Sequence, residues 1–103
     1  MVKKVCINQG DILSVEGIKM PVLAVSKNFF NRTEQIIACP IVQKSMADPL
    51  HINVSAENVN GLVLCEQMKL LDMRARGYKK ISELKLEEVI NITDAIQGIF
   101  DYL

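Results

Sequence analysis

Gly61-Leu62-Val63-Leu64-Cys65-Glu66-Gln67-Met68-Lys69-Leu70-Leu71-Asp72 is the stretch on which the fold turns. Leu62 to Cys65 is a continuous apolar run of strand length, and Gln67 to Asp72 alternates polar with apolar less cleanly. Upstream, His51-Ile52-Asn53-Val54 alternates as a half-buried strand does. Ile36-Ile37-Ala38-Cys39 and Ile41-Val42 read as another strand, interrupted by Pro40, which predicts a sheet edge or a bulge. Val22-Leu23-Ala24-Val25 follows Pro21, and Ile12-Leu13-Ser14-Val15 runs into a Glu16-Gly17 turn. Short strands at this spacing predict a barrel or a sandwich.

Downstream the period changes. Leu86, Val89, Ile90, Thr93, Ile96, Phe100 and Leu103 follow helical spacing, with Glu87, Glu88, Asn91, Asp94 and Asp101 on the other side. Glu87 and Glu88 fall in the first turn, where carboxylates favour the positive end of the helix dipole. Gly98 costs up to ~1 kcal/mol against alanine in a helix interior, so fraying is expected beyond it. The expected role of this amphipathic helix is to close the core, with a share in a dimer interface as the sharper reading.

A chain of 103 residues, half of them hydrophobic, is expected to form one domain over residues 1–103. At this size it can bury roughly two-thirds of its unfolded surface without staples. No apolar run approaches the ~20 residues needed to span a bilayer. The start, Met1-Val2-Lys3-Lys4-Val5, has no long apolar segment behind its charges, so a cytoplasmic protein with no membrane association is expected. Cys6, Cys39 and Cys65 are odd in number and form no CxxC pair, which predicts reduced, buried thiols and no disulfide framework. No histidine pair suits zinc, and there is no P-loop, GxGxxG or nucleophile elbow; no metal or cofactor is implied.

The net charge is zero, but its distribution is uneven. Lys69, Arg74, Arg76, Lys79 and Lys80 meet only Asp72 between residues 69 and 80, whereas the segment from Ile81 onward carries five acids and only Lys85. One end of the molecule is then anion-attracting, unless the two stretches neutralise each other across the fold. Tyr78, Tyr102 and three phenylalanines are too few and scattered for a base-stacking platform.

Six segments, in order, resemble the MazF/PemK toxin family. They are Gln9–Leu13 with its Gly-Asp pair, Pro21–Asn28, Ile36–Ile41, Pro49–Val54, the Gly61–Asp72 block, and Lys79–Ile81 followed by the terminal helix. The Gly61–Asp72 block is the most specific, and the resemblance covers nearly the whole chain. It implies a mainly β fold with a C-terminal α-helix, a small SH3-like β-barrel of the MazF/PemK/CcdB kind, usually a homodimer. It also implies metal-free cleavage of single-stranded RNA and an antitoxin partner whose tail lies along the RNA-binding surface.

Cleavage of that kind needs the 2′-hydroxyl proton removed, the leaving oxygen protonated and the phosphate charge stabilised. Family members place an arginine just before the proline of the second strand and a threonine at the end of the third. Here Met20 and Val42 occupy those positions. Methionine carries neither proton nor charge, and valine keeps the shape of threonine without its hydroxyl. The loop between the first two strands, Glu16 to Lys19, is also short beside the family's, which folds over RNA. One lost oxyanion donor alone costs about 10²–10³ in rate, so the resemblance implies an impaired or altered activity.

Substitutes for the missing groups are Lys19, Lys44 and His51. In regular strand geometry Lys19 faces away from Met20 and reaches the site only through a bulge or slip. Lys44 shares a face with Val42 if that strand continues. His51, the only histidine, sits where the family often has one, and a lone histidine is more often a structural hydrogen-bonding residue than a catalyst. Gln67, Lys69, Arg74 and Arg76 are the RNA-binding candidates.

Three functions remain open. The first is a toxin-family protein that still binds, and weakly cuts, RNA. The second is a non-catalytic binding module that engages an antitoxin, a homologous toxin or another protein. A CcdB-like gyrase contact is the least favoured version of it, because the Gly61–Asp72 block resembles MazF/PemK and the chain end lacks the tryptophan typical of CcdB. The third is an accessory domain that uses the barrel only to dimerise.

Overall fold

The computed structural model describes residues 6–44, 46 and 48–101. In chain order the elements are β1 (Asp11–Val15), β2 (Val22–Ala24), α1 (Asn28–Asn31), β3 (Gln35–Val42), β4 (His51–Ala56), β5 (Val59–Leu64), β6 (Lys69–Asp72), β7 (Tyr78–Glu83) and α2 (Leu86–Phe100). The strands form one curled antiparallel sheet in the order β4-β5-β3-β2-β1-β7, with β6 also paired to β3. No helix among the described residues is long and apolar enough to cross a membrane. The opening residues 1–5 and Leu103, the last position of the helical stripe, lie outside the described residues.

The alternation of side chains sorts the sheet into two cores. Ile12, Leu23 and Cys39 stand in register across β1, β2 and β3 and face one side. With Val54, Val63, Cys65 and Ile92 they form the core beneath α2. One residue along, Leu13, Val22 and Pro40 stand in register and face the other side. There Leu13, Val22, Ile36, Ala38, Leu71 and Met73 make a second, smaller core. A period of two sends successive residues to opposite faces, so both faces of β1–β3 are apolar and both are covered.

Pro40 does not mark an edge. β3 is the most connected strand, pairing with β2 through Ala38, Cys39 and Pro40. On its other side it pairs with β6 through 35–38 and with β5 through Ile41 and Val42. The Ile41 N–H donates to Pro21 O on the β2 side at 2.9 Å, so the nitrogen of the preceding Pro40 faces the opposite side. That is the gap where β3 exchanges β6 for β5, and the missing N–H is not needed there.

Two elements were not evident in the sequence. β7 reads as neither alternating nor apolar, and its place is fixed by pairing with β1 across a register shift at Ile12/Leu13. α1 is a single turn held from within: Asn31 is buried, its Nδ2 donates to Ile7 O at 2.9 Å, and the Ser26 hydroxyl donates to its Oδ1. The helical stripe also needs correction. Ile92 is the fully buried residue of α2, with Val89, Ala95 and Ile96 packed beside it. Leu86, Ile90 and Phe100 instead stand exposed, because the sheet meets a face rotated from the one that spacing alone selects. The helix continues through Gly98 to Phe100.

Among the thiols, Cys39 and Cys65 are buried but Cys6 is exposed, contrary to the expectation for all three. Burial pushes the Cys39 thiol up to about 12 and the Cys65 thiol up to about 11, so both remain protonated and inert at neutral pH.

Candidate functional site

On the face of the sheet opposite α2, the smaller core is open at one end. A slot of about 140 Å³ is lined by Ile18, Met20, Val22, Ala38, Pro40, Gln67, Lys69 and Leu71. The register builds it: Val22 stands opposite Pro40, and Ala38 opposite Lys69. Lys69 and Leu71, two apart on β6, share a face, and Met20 and Gln67 reach the slot from the segments just before β2 and β6. The floor is hydrocarbon. The polar groups are the Gln67 amide and the Lys69 ammonium, both on exposed residues.

The structure therefore brings together Met20, Gln67 and Lys69 among the residues singled out from sequence. It separates others from them. Lys19 lies between Ile18 and Met20 in a bend outside the strands, so strand parity does not govern it; it is exposed and does not line the slot. Val42 ends β3, half-buried opposite Leu62, and is also not part of the slot lining. Lys44 follows the end of β3, so the premise that the strand carries it onto the face of Val42 fails.

The basic stretch is partly neutralised. Arg74 grips Asp72 with two donors, Nε to Oδ1 at 3.0 Å and NH2 to Oδ2 at 2.9 Å, with Glu34 3.9 Å away. The guanidinium holds the Asp72 carboxyl below its ordinary value, and Asp72 raises Arg74 in return. Lys80 bridges the buried Asp11 and the exposed Glu83, each at 3.3 Å. Arg76 is exposed near Asp72. The neutralisation comes from Asp72 within the basic stretch, from Glu83 at the start of the acidic one, and from Glu34 and Asp11 elsewhere in the chain; Lys69 lines the slot.

His51 is committed to structure. Its Nδ1 lies 2.8 Å from Met46 O and its Nε2 3.0 Å from Glu66 Oε2. A ring with both nitrogens facing acceptors is poorly placed to take or give a substrate proton. Among the described residues no three of His, Cys, Asp and Glu converge as metal ligands would.

Sequence reading missed Ile18, Val22, Ala38, Pro40 and Leu71 as slot residues. Spacing tied only Ile18 and Val22 to Met20 and Leu71 to Lys69; Ala38 and Pro40 join them through the register of β3 with β6 and β2. Glu66 carried no comparable signal, because its meeting with His51 requires the β4–β5 register, which pairs His51 with Leu64.

Comparison with known proteins accounts for this architecture. The MazE–MazF crystal structure from Deinococcus radiodurans superposes with a TM-score of 0.84 at 20% identity, covering 93% of this chain and 97% of that one. Mycobacterium tuberculosis toxin MazF-mt6 superposes with a TM-score of 0.72 at 19% identity, over 89% of this chain and 99% of that one. At such identities the likeness speaks for the fold. Closer in sequence, endoribonuclease toxin ChpB of Escherichia coli K12 is 31% identical over 107 residues, 87% of this chain and 90% of ChpB. Residues 8–100 also match the model of the PemK-like, MazF-like toxins, and with that span and that relative the chain belongs to this family of type II toxin–antitoxin toxins.

Proposed function

We propose that this toxin-family chain binds single-stranded RNA across the slot and that its metal-free cleavage is impaired, because Met20 and Val42 stand where the family's catalytic arginine and threonine are expected. The observation that carries the reading is the lining of the slot. Where the family resemblance implies a guanidinium to grip the phosphate with two donors, Met20 lines the slot beside Val22, Ala38 and Pro40. Among the described residues Lys69 is the one cation of the lining, and it offers a point charge without a planar fork. Gln67 supplies donors and an acceptor but no charge. Such a site holds an anionic strand by its rim and lacks an acid–base pair to cut it.

The apolar floor also favours a second reading, a non-catalytic module that takes an apolar side chain of a protein partner. Related complexes support an antitoxin as that partner, including an endoribonuclease with its cognate antitoxin from Mycobacterial species. The exposed Leu86, Ile90 and Phe100 of α2 support a homodimer, since apolar groups on one helix face are typical of interface cores.

The deciding experiment is incubation of the purified chain with long mixed-sequence RNA and EDTA, alongside binding of a short single-stranded RNA at two salt concentrations. The proposal expects salt-dependent binding that Lys69→Glu weakens, with no discrete cuts. Cuts abolished by Lys19→Ala or Lys44→Ala would establish a nuclease with relocated catalytic groups. Salt-independent or absent RNA binding, with capture of an antitoxin-like peptide, would install the second reading. Met20→Arg with Val42→Thr is expected to raise cleavage above that of the unaltered chain.

A further inference from the structure

One side chain joins the loop after β3 to the turn after β5. His51 opens β4, and its Nδ1 and Nε2 face Met46 O and Glu66 Oε2 at 2.8 and 3.0 Å. Both partners are acceptors. A neutral imidazole has one N–H and satisfies one of them; the imidazolium satisfies both. The surrounding backbone is already tied: His51 N donates to Asp48 O at 3.0 Å, Leu50 N to Asp48 Oδ1 at 2.8 Å, and Cys65 N to Leu50 O at 2.9 Å. Among the described residues, the charged groups acting on the ring are Glu66 and Asp48, both anionic.

Glu66 belongs to the turn closed by Gln67 N donating to Leu64 O at 3.1 Å, and the next side chain, Gln67, lines the slot. The Glu66 carboxylate lies 3.0 Å from His51 Nε2, and Gln67 follows it directly in that turn. Met46, His51 and Glu66 thus form a line of contacts that ends in the turn carrying Gln67, one residue from the slot wall.

We infer that His51 and Glu66 are positioning residues: the imidazolium fastens the Met46 segment to the β5–β6 turn and fixes the Gln67 amide at the slot, and loss of the ring proton releases it. The inference rests on the reading of the slot as the ligand site. The hydrogen bond to Glu66, then that to Met46 O, holds His51 above its ordinary value. The clasp is therefore complete below about pH 6.5, the ordinary histidine value, and weakens as pH rises through the raised folded-state value.

The test is an NMR titration of the full chain from about pH 5 to about pH 9, a range spanning histidine ionisation. At the acid end both ring nitrogens of His51 are expected to be protonated. The Gln67 side-chain amide and the Met46 and Asp48 amides are expected to shift with the His51 midpoint. Glu66→Gln, which keeps an acceptor and removes the charge, is expected to lower that midpoint and uncouple Gln67 from it. Affinity for a short single-stranded RNA is expected to fall with the same midpoint by about fivefold, the worth of one ordinary hydrogen bond. A Gln67 amide blind to His51 titration overturns the inference. Coupled titration without RNA binding at any pH upholds the clasp and removes the RNA reading of the slot.

Discussion

The two cores share three strands and have different uses. Beneath α2, Ile12, Leu23, Cys39, Val63, Cys65 and Ile92 are all 1% exposed or less. On the opposite face Leu13, Ile36 and Met73 are equally buried, yet Leu71 is 6% and Met20 38% exposed as that core opens into the slot. The difference follows from what covers each face. A helix of fifteen residues plugs one with Ile92 and leaves a groove at the core's margin, beside Val25 and Ile37, while β6, a strand of four, covers only part of the other. Burial on both faces fixes the register of β1, β2 and β3, because a slip of one residue exchanges the two sets of side chains. A recess can then open on the second face without loosening the first.

The largest effect is expected at the centre of the core beneath α2. Ile92→Ala should cost about 3–4 kcal/mol in denaturant unfolding, as for a wholly buried side chain whose cavity cannot collapse. Gly61→Ala comes next. A Cβ there would lie 2.6 Å from Val42 O and 3.0 Å from Ile41 Cγ2, so β5 must move away from β3. Overpacking of this kind costs about 2–3 kcal/mol, and cross-peaks of Val63 and Cys65 should shift while those of Met20 stay.

Leu71→Ala, at the floor of the slot, should cost only about 2 kcal/mol, the lower end for such truncations, because water can enter from the open side. A loss equal to that of Ile92→Ala would show the two cores to be equally closed and end the comparison. The smallest effect is in the turn before β3. Glu34 holds φ 69, and Glu34→Gly should gain about 0.5 kcal/mol, the left-handed penalty of roughly 1–2 less the larger unfolded entropy of glycine. A net loss in thermal unfolding would mean that the 3.9 Å contact of Glu34 with Arg74 matters more to this region than the backbone strain.

The mainly β plan was legible because its strands are marked by alternation and by turn residues close at hand. Glu16-Gly17 is one case, with Gly17 at φ +86 as its turn requires. β7 was not legible: Tyr78-Lys79-Lys80-Ile81-Ser82-Glu83 has no apolar rhythm and is held by β1 and by the Asp11–Lys80 ion pair. The candidate site was legible in its polar members, Gln67 and Lys69, and in Met20. Its apolar floor was not, since Ala38 and Pro40 look like any core residues until β6 is laid beside them.

The order of short strands before one amphipathic helix was set by the chain itself, as were the family resemblance and the presence of Met20 and Val42 at positions where that resemblance implies an arginine and a threonine. These depend on residue type and short-range period, which a sequence carries in full. The tertiary structure alone decided that Lys80 meets the buried Asp11 of β1, that His51 is clamped between a carbonyl and Glu66, and that Ile92 is the buried position of α2. Each of those depends on groups brought together by strand register and helix rotation, and neither follows from the spacing of residues along one segment.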